Sequence, residues 1–191
     1  MKSLSLIALT AALFTVATSA LAQTPAASST LAPKLAEADK KFIKDFAEQH
    51  NFEQELANKA RGKEMGATRD KKPNPLTPAA TTLYKKVLGD LTTSWTEFAT
   101  LSQAKKVDIL ASAKPKDAAE AAAMGKLAGD KFDKEFVKML GKEAKKTDLM
   151  LTNAGKTVRD PEVKAFVDKW APAFKGHLAE VETAEKALKG K

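Results

Sequence analysis

Apolar residues recur at steps of three and four in four long segments of the chain, which is the pattern of amphipathic helices. The clearest segment runs from Asp160 to Leu188, where Asp160 is placed as N-cap and Pro161 as first helical residue. Trp170 lies at the centre of its apolar face and is predicted to be a core residue, whereas Pro172 predicts a kink. The face comprises Val163, Phe166, Val167, Trp170, Phe174, Leu178, Val181 and Leu188.

Three further long helices and one short helix are predicted before this segment. The first long helix runs from Asp39 as N-cap to Arg61, with Gly62 as its stop. The second runs from the Thr77 cap to about Lys105, and the third from about Asp130 to near Gly155. The Ala-rich stretch 116–127 reads as the short helix. The inward positions are Phe42, Phe46, Leu56, Ala60, then Leu83, Val87, Leu91, Trp95, Phe98, Leu101, then Phe132, Phe136, Val137, Leu140 and Leu151.

The fold class that follows is all-α. No β-branched run alternates over the length of a strand, and four long helices fit an up-and-down four-helix bundle with one additional short helix and a longer connection in the middle. Residues 62–77 contain glycines and prolines without helical periodicity and predict a connecting loop. In the third long helix, Gly141 and Ala144 are small enough to let another backbone come close.

The N-terminus has the three parts of a secretory signal peptide. Lys2 precedes an uncharged apolar run from residue 4 to about 17, and Ala20 and Ala22 form the cleavage site. We predict a signal peptide at 1–22 with cleavage after Ala22, a flexible leader at 23–37 and a helical domain at 38–191. The protein is therefore expected in the periplasm or secreted, without a transmembrane segment after cleavage. The chain has no cysteine, which excludes disulfides and thiolate ligands.

The chain is basic, with a formal net charge of +8 and a pI near 9.5. Such a charge can attract anionic lipid, wall polymer or nucleic acid, but lysines are scattered over every helix, which is typical of a solvated surface. Aromatic residues make up only 6% of the chain, and no basic stripe alternates with stacking side chains as nucleic-acid binding requires. The expected partner is an envelope protein or an anionic surface polymer, and not a nucleic acid.

Two polar residues, Gln49 and Glu53, lie on the apolar line of the first helix. A buried carboxylate must be paired or protonated, and we predict that Glu53 meets His177 of the last helix, with Asp90 as a further member. Their helices are neighbours in an up-and-down bundle, and an ionised Glu53 would raise the pKa of His177. We interpret this as a structural polar pair.

Catalytic and metal-binding patterns are incomplete in this sequence. A dimetal site in a helical bundle needs two Glu-x-x-His motifs, and the chain has none; its two histidines are His50 and His177. A serine triad lacks its G-x-S-x-G elbow, and no Gly-rich phosphate loop occurs. We therefore predict no metal, no cofactor and no enzymatic activity.

Three segments carry a resemblance to a known family: ADKKFIKDFAEQHNFEQELANKA, FDKEFVKML and DPEVKAFVDKWAPAFKGHLAEVE. Together they resemble the exported bacterial domain-of-unknown-function family numbered 4142, whose fold is ferritin-like. The resemblance extends over about residues 38–188. It implies a helix-one Glu matched by Glu53, an Asp-His pair matched by Asp90 and Leu91, a further His matched by Ala144, and a last-helix His matched by His177. Two of the family's imidazoles are thus replaced by apolar groups.

Two functions from different classes remain open. The first is a non-enzymatic helical-bundle protein of the bacterial envelope, with a binding, structural or stress-related role. The second is a degenerate ferritin-like protein that binds metal or has a redox role, which is supported by the resemblance and by Glu53, Asp90 and His177. Metal analysis of protein purified without a His-tag separates the two.

Overall fold

Five α-helices make up the part of the chain that the structure, a computed structural model, describes. The described residues are 35–65, 76–109 and 114–190, and no strand occurs in them. The all-α prediction of four long helices and one short helix is confirmed. The helices are α1 (Glu37–Glu64), α2 (Pro78–Ala104), α3 (Pro115–Gly125), α4 (Gly129–Thr157) and α5 (Pro161–Lys189).

Some of the predicted segments fall outside this part of the chain. The signal peptide at 1–22, the leader as far as residue 34 and positions 66–75 of the connecting loop all lie outside the described residues. Of the leader, Glu37 already belongs to α1. Among the helices of the described residues, none contains an apolar stretch of the length that a membrane span requires.

Helices α2 and α5 begin where the sequence predicts, because each has a side chain that caps it. The Thr77 hydroxyl accepts the backbone N–H of Ala80 at 3.3 Å, and Asp160 accepts two N–H groups from the first turn of α5. A proline occupies the first turn in both helices. These caps satisfy N–H groups that have no partner within the helix, which is why both boundaries were predictable.

The boundaries predicted for α1 are wrong at both ends. Asp39 is not its N-cap: α1 begins at Glu37, and the buried Asp39 side chain accepts the backbone N–H groups of Arg159 and Asp160 at 2.7 and 3.2 Å. Gly62 does not stop the helix, which continues to Glu64. The last turn is held from outside the helix, because Lys63 donates to the Leu127 carbonyl at 2.7 Å.

The polar contacts at one end of the bundle show which helix ends meet there. Asp39 at the start of α1 binds the connection between α4 and α5. Lys105, just after α2, forms an ion pair with Asp160, just before α5, at 2.7 Å. The start of α1, the end of α2, the end of α4 and the start of α5 therefore lie at the same end.

The opposite end gives the complementary set of helix ends. Lys63 near the end of α1 contacts Leu127 before α4, and the Thr77 N–H before α2 donates to Asp133 in the first turns of α4 at 2.7 Å. Helices α1 and α5 therefore run one way and α2 and α4 the other. The directions differ from the strict alternation of an up-and-down bundle, because the segment containing α3 carries the chain back along the bundle from the end of α2 to the start of α4.

This connectivity decides which helices are neighbours. Helix α1 packs on α2 and α4, and α5 packs on the same two helices. Helices α1 and α5 are diagonal, and they meet through large aromatic side chains: Phe46 lies 5.3 Å from Phe166 and 5.7 Å from Phe174 between ring centroids. The expectation that the first and last helices are neighbours is therefore wrong.

The predicted apolar faces form the core. Trp170 is only 8% exposed and its indole N–H donates to Glu97 at 2.9 Å, so its core position is confirmed. Trp95 is only partly buried and stacks on the His50 ring. Pro172 lies on the exposed side of α5, and the helix is continuous through it.

A close approach of two helices occurs at Gly141, as its small size predicts. A Cβ atom added to Gly141 would lie 2.8 Å from a methyl carbon of Val181 on α5, well inside van der Waals contact. Val181 is itself buried and β-branched, so it has little freedom to move. The tight packing of α4 on α5 therefore depends on the absence of a side chain here.

Gly141→Ala is expected to lower the free energy of unfolding by about 1–3 kcal/mol, because the added methyl group overpacks the α4–α5 contact. Gly155→Ala is the matched control in the same helix, since a Cβ there meets nothing within 4 Å. The control is expected to raise stability by about 0.5–1 kcal/mol, as Gly-to-Ala changes do inside helices. Urea unfolding followed by circular dichroism measures both; equal effects would contradict the close approach.

Candidate functional site

Glu53 is the centre of a polar cluster between α1 and α4. Its side chain is 0% exposed, and its Oε1 atom accepts hydrogen bonds from the Thr147 hydroxyl and from the Gln49 amide at 3.2 Å. The same amide lies 3.1 Å from a carboxylate oxygen of Glu143, which is buried and paired with Lys146 at 2.8 Å. We call these five residues the Glu53 cluster.

Burial controls the protonation of Glu53. Desolvation raises the pKa of Glu53 from 4.5 to about 7, and the hydrogen bonds from Thr147 and Gln49 offset only part of this effect. The nearby Glu143 carboxylate raises the pKa further, and Lys146 lowers it. The second carboxyl oxygen, Oε2, has no hydrogen-bond partner within the described part of the chain. Near neutral pH the carboxyl therefore holds a proton in a large fraction of molecules.

His177 forms a second polar site, between α5 and α2. Its Nε2 atom donates to the Asp90 carboxylate at 3.0 Å, and Lys86 donates to the same oxygen at 2.6 Å. Burial lowers the pKa of His177 although the bond to Asp90 partly opposes it. Desolvation raises the pKa of Asp90, but the hydrogen bonds from Lys86 and His177 outweigh it and leave the pKa below its usual value. The pair is a neutral imidazole on an ionised carboxylate.

His50 forms a third polar site, between α1 and α2. Its Nε2 atom lies 2.8 Å from the Leu91 carbonyl, and because a carbonyl can only accept, Nε2 carries the proton. Its ring stacks on Trp95 with centroids 4.7 Å apart. Burial lowers the pKa of His50 to about 4, so the ring is neutral in the folded protein at neutral pH.

The structure brings together only two of the three candidates from the sequence. Asp90 and His177 are in contact, whereas Glu53 bonds to α4 and not to His177. The predicted Glu53–His177 pair is wrong because α1 and α5 are diagonal in the bundle. The expectation that an ionised Glu53 raises the pKa of His177 is wrong as well, because burial lowers that pKa.

Sequence reasoning missed Glu143 and Thr147, the α4 residues of the Glu53 cluster. Both are buried, and they lie four residues apart on the inward face of α4. The sequence did contain an indication of these two residues. Residues 144–148 include no large apolar side chain, and they lie at the same level along the bundle as Glu53. A polar gap in one stripe opposite a carboxylate in another indicates a hydrogen-bonded pair of polar residues.

Glu53 and the two histidines are closed to solutes, although Asp90 and Lys146 beside them are partly exposed. Gln49 lines a polar surface cleft of about 260 Å³, but Glu53 behind it and both histidines are at most 1% exposed. A metal centre needs three or four convergent ligands, and within residues 35–65, 76–109 and 114–190 no three His, Asp or Glu side chains form such a group.

Comparisons with known proteins agree with the fold. The chain matches a crystal structure of a DUF305 fragment from Deinococcus radiodurans with a TM-score of 0.64 at 14% identity, over 83% of this chain and all of the fragment. At this identity the match supports the fold alone. Among curated proteins, none matches the chain.

A family model covers most of the bundle. The model of the domain of unknown function DUF4142 matches residues 78–184, which extend from the start of α2 into the last turns of α5 and include Asp90 and His177. Helix α1, with His50 and Glu53, lies before the match. Because the matched residues make up more than half of the sequence, the chain belongs to the DUF4142 family of domains of unknown function.

Proposed function

We propose that the protein is an exported, non-enzymatic helical-bundle protein of the bacterial envelope that acts by binding a partner. The observation that carries this proposal is that the polar groups of the core form their hydrogen bonds with other residues of the bundle. Glu53, His50 and His177 are buried, and each has a hydrogen-bond partner inside the bundle. A substrate would have to open the bundle to reach them, so these groups serve the stability of the fold. Binding of a partner would therefore take place on the surface of the bundle.

The N-terminal sequence supports export. The apolar run after Lys2 and the Ala20–Ala22 site are complete signals for secretion and cleavage. The mature protein recovered from the periplasm or the medium is expected to begin at Gln23, as measured by intact mass and N-terminal sequencing. A protein that keeps Met1 and stays in the cytoplasm would overturn the localisation.

A binding role fits the charge of the exported domain better than a catalytic role does. Removal of residues 1–22 takes away Lys2 and lowers the formal net charge from +8 to +7. This charge favours association with anionic components of the envelope, because opposite charge speeds encounter and adds to affinity. An anionic surface polymer or an acidic envelope protein has the required charge. A structural or stress-related role would depend on the same binding of the basic domain to an anionic envelope component.

The second candidate is a degenerate ferritin-like protein that binds metal. Two observations favour it: the single crossover between α2 and α4, a connection that ferritin-like bundles use, and the buried Nδ1 atoms of His50 and His177, which have no partner among the described residues. Iron, manganese and zinc analysis of tag-free protein tests it. Stoichiometric metal that is lost in His177→Ala would favour this candidate over the binding role.

A further inference from the structure

Exposed lysines form a line along the outward face of α4. Their spacings of three, four, seven and eleven residues place them on one side of a helix with 3.6 residues per turn. The line spans 25 residue steps, which is about 37 Å at 1.5 Å per residue. We call it the α4 lysine stripe; its members are Lys131, Lys134, Lys138, Lys145 and Lys156, all exposed.

The charge of the α4 lysine stripe is mostly uncompensated. Lys138 has an ion pair with Glu135 at 3.3 Å, whereas the other four lysines form no ion pair with any residue that the structure describes. The acids on or beside this face are Asp130, Glu135 and Asp148 of α4 and Glu185 of α5, and Glu185 lies 3.9 Å from Lys189. Because α4 carries seven exposed lysines against these three acids of its own, its exposed face has an excess of positive charge.

The exposed face of α2 is different in character. It carries a row of threonines whose hydroxyls donate to carbonyls of their own helix: Thr92, Thr93, Thr96 and Thr100. Such hydroxyls already have partners and carry no charge. Residues 89–104 of α2 contain no lysine, so positive charge is denser along α4 than along this part of α2.

An exposed leucine interrupts the α4 lysine stripe. Leu149, one turn after Lys145, is 61% exposed, and Met65 at 75% is the other large apolar side chain exposed in this way among the described residues. Beside the stripe, a surface groove of about 530 Å³ lies between α4 and α5. Its apolar floor contains Val137 and Leu188, and its rim contains three lysines and one acid: Lys134, Lys138, Lys189 and Glu185.

We propose that the α4 face binds the surface of an anionic phospholipid bilayer. The lysines lie over the phosphate headgroups, and Leu149 enters the boundary between headgroups and acyl chains. The proposal rests on the proposed export, which places this face beside envelope lipids, and it names the partner class that the binding role leaves open. The bundle lies on the membrane as a rigid body with α4 parallel to the surface.

The combination of charges and an exposed leucine selects lipid over a soluble polyanion. A polyanion makes use of the lysines alone, and it leaves Leu149 in water. A bilayer uses both, because interfacial helices combine lysines that attract anionic lipid with apolar side chains that enter the interface. The straight line of α4 also matches a flat surface, since all five lysines reach it at once.

Co-sedimentation of the full mature protein with vesicles tests the proposal. Vesicles of phosphatidylcholine with about one third phosphatidylglycerol are compared with pure phosphatidylcholine at low and at high salt. Binding is expected only to the anionic vesicles and is expected to weaken with salt. Lys134→Gln with Lys145→Gln is expected to reduce the partition coefficient about 25-fold, at about fivefold for each lysine.

Control variants separate the stripe from net charge. Lys44→Gln with Lys106→Gln removes the same charge from exposed positions on α1 and just after α2. This pair is expected to change binding less than about threefold, because both lysines line a groove between α1 and the end of α2, away from the α4 lysine stripe. Leu149→Ser is expected to weaken binding several-fold, whereas Met65→Ser is expected to leave it unchanged. Circular dichroism confirms that each variant keeps the fold.

Three results would overturn the proposal. Absence of binding to anionic vesicles excludes a lipid surface. Equal losses in the two lysine pairs mean that net charge alone acts. Binding to soluble polyphosphate that is as tight as binding to vesicles, and that is unaffected by Leu149→Ser, assigns the face to a polymer. None of these results bears on export, because the mature N-terminus is measured separately.

Discussion

Phe46→Ala is expected to lower the free energy of unfolding by about 3–5 kcal/mol, which is the range for removing a buried phenylalanine ring. Phe46 is 0% exposed and lies where the diagonal helices α1 and α5 meet. Its ring centroid is 4.7–5.7 Å from four other phenylalanine rings, contributed by three helices: Phe42, Phe98, Phe166 and Phe174. Loss of the ring removes contacts with all three helices at once and leaves a cavity that they cannot close.

The expected loss of stability in Phe46→Ala is large enough to be measured by unfolding. Domains of this length have about 5–15 kcal/mol of stability in total, so Phe46→Ala removes a large share. Urea unfolding followed by circular dichroism gives the difference. Phe46→Leu keeps most of the volume and is expected to cost less than about 2 kcal/mol. A loss below about 1 kcal/mol for Phe46→Ala would mean that this ring is not at the centre of the core.

The helices could be predicted from the sequence because each has a local signal. Apolar residues at steps of three and four define the faces, and the Thr77 and Asp160 caps with their prolines define two starts. The misplaced N-cap at Asp39 shows the limit of such signals. A carboxylate near a helix start looks like a cap in the sequence, but its partners at Arg159 and Asp160 are about 120 residues away.

The arrangement of the helices could not be predicted in the same way. The sequence shows a long connection between α2 and α4, but it does not show at which end of the bundle that connection finishes. Helix α3 carries the chain from one end to the other, and this reverses α4 and α5 relative to simple alternation. The burial of Glu53 was therefore predictable from its own helix, whereas its partner Thr147 was not, because the partner depends on which helix lies beside α1.

The pH dependence of stability follows from the Glu53 cluster. Glu53 titrates near 4.5 when unfolded and near 7 when folded, so between these values the folded protein holds a proton that the unfolded chain has released. The contribution of Glu53 to the free energy of unfolding is complete below pH 4.5. It is lost as pH rises through 7, and the loss amounts to about 3 kcal/mol. His50 has the opposite effect: its pKa falls from 6.5 to about 4 on folding, so its contribution is lost as pH falls through that range.

Because Glu53 and His50 act in opposite directions between pH 4.5 and 6.5, their contributions partly cancel in the wild-type protein, and removal of one reveals the other. Glu53→Gln keeps the shape and the acceptor for Thr147 but cannot ionise. We expect its stability to match that of wild type near pH 4.5 and to exceed it by about 3 kcal/mol at pH 8, where wild type bears the cost of an ionised Glu53 beside Glu143. Urea unfolding from pH 4.5 to 8 measures the difference, and Glu55→Gln, a partly exposed glutamate of the same helix, is the control with little expected change. A constant difference between Glu53→Gln and wild type over this range would show that Glu53 does not exchange its proton on unfolding.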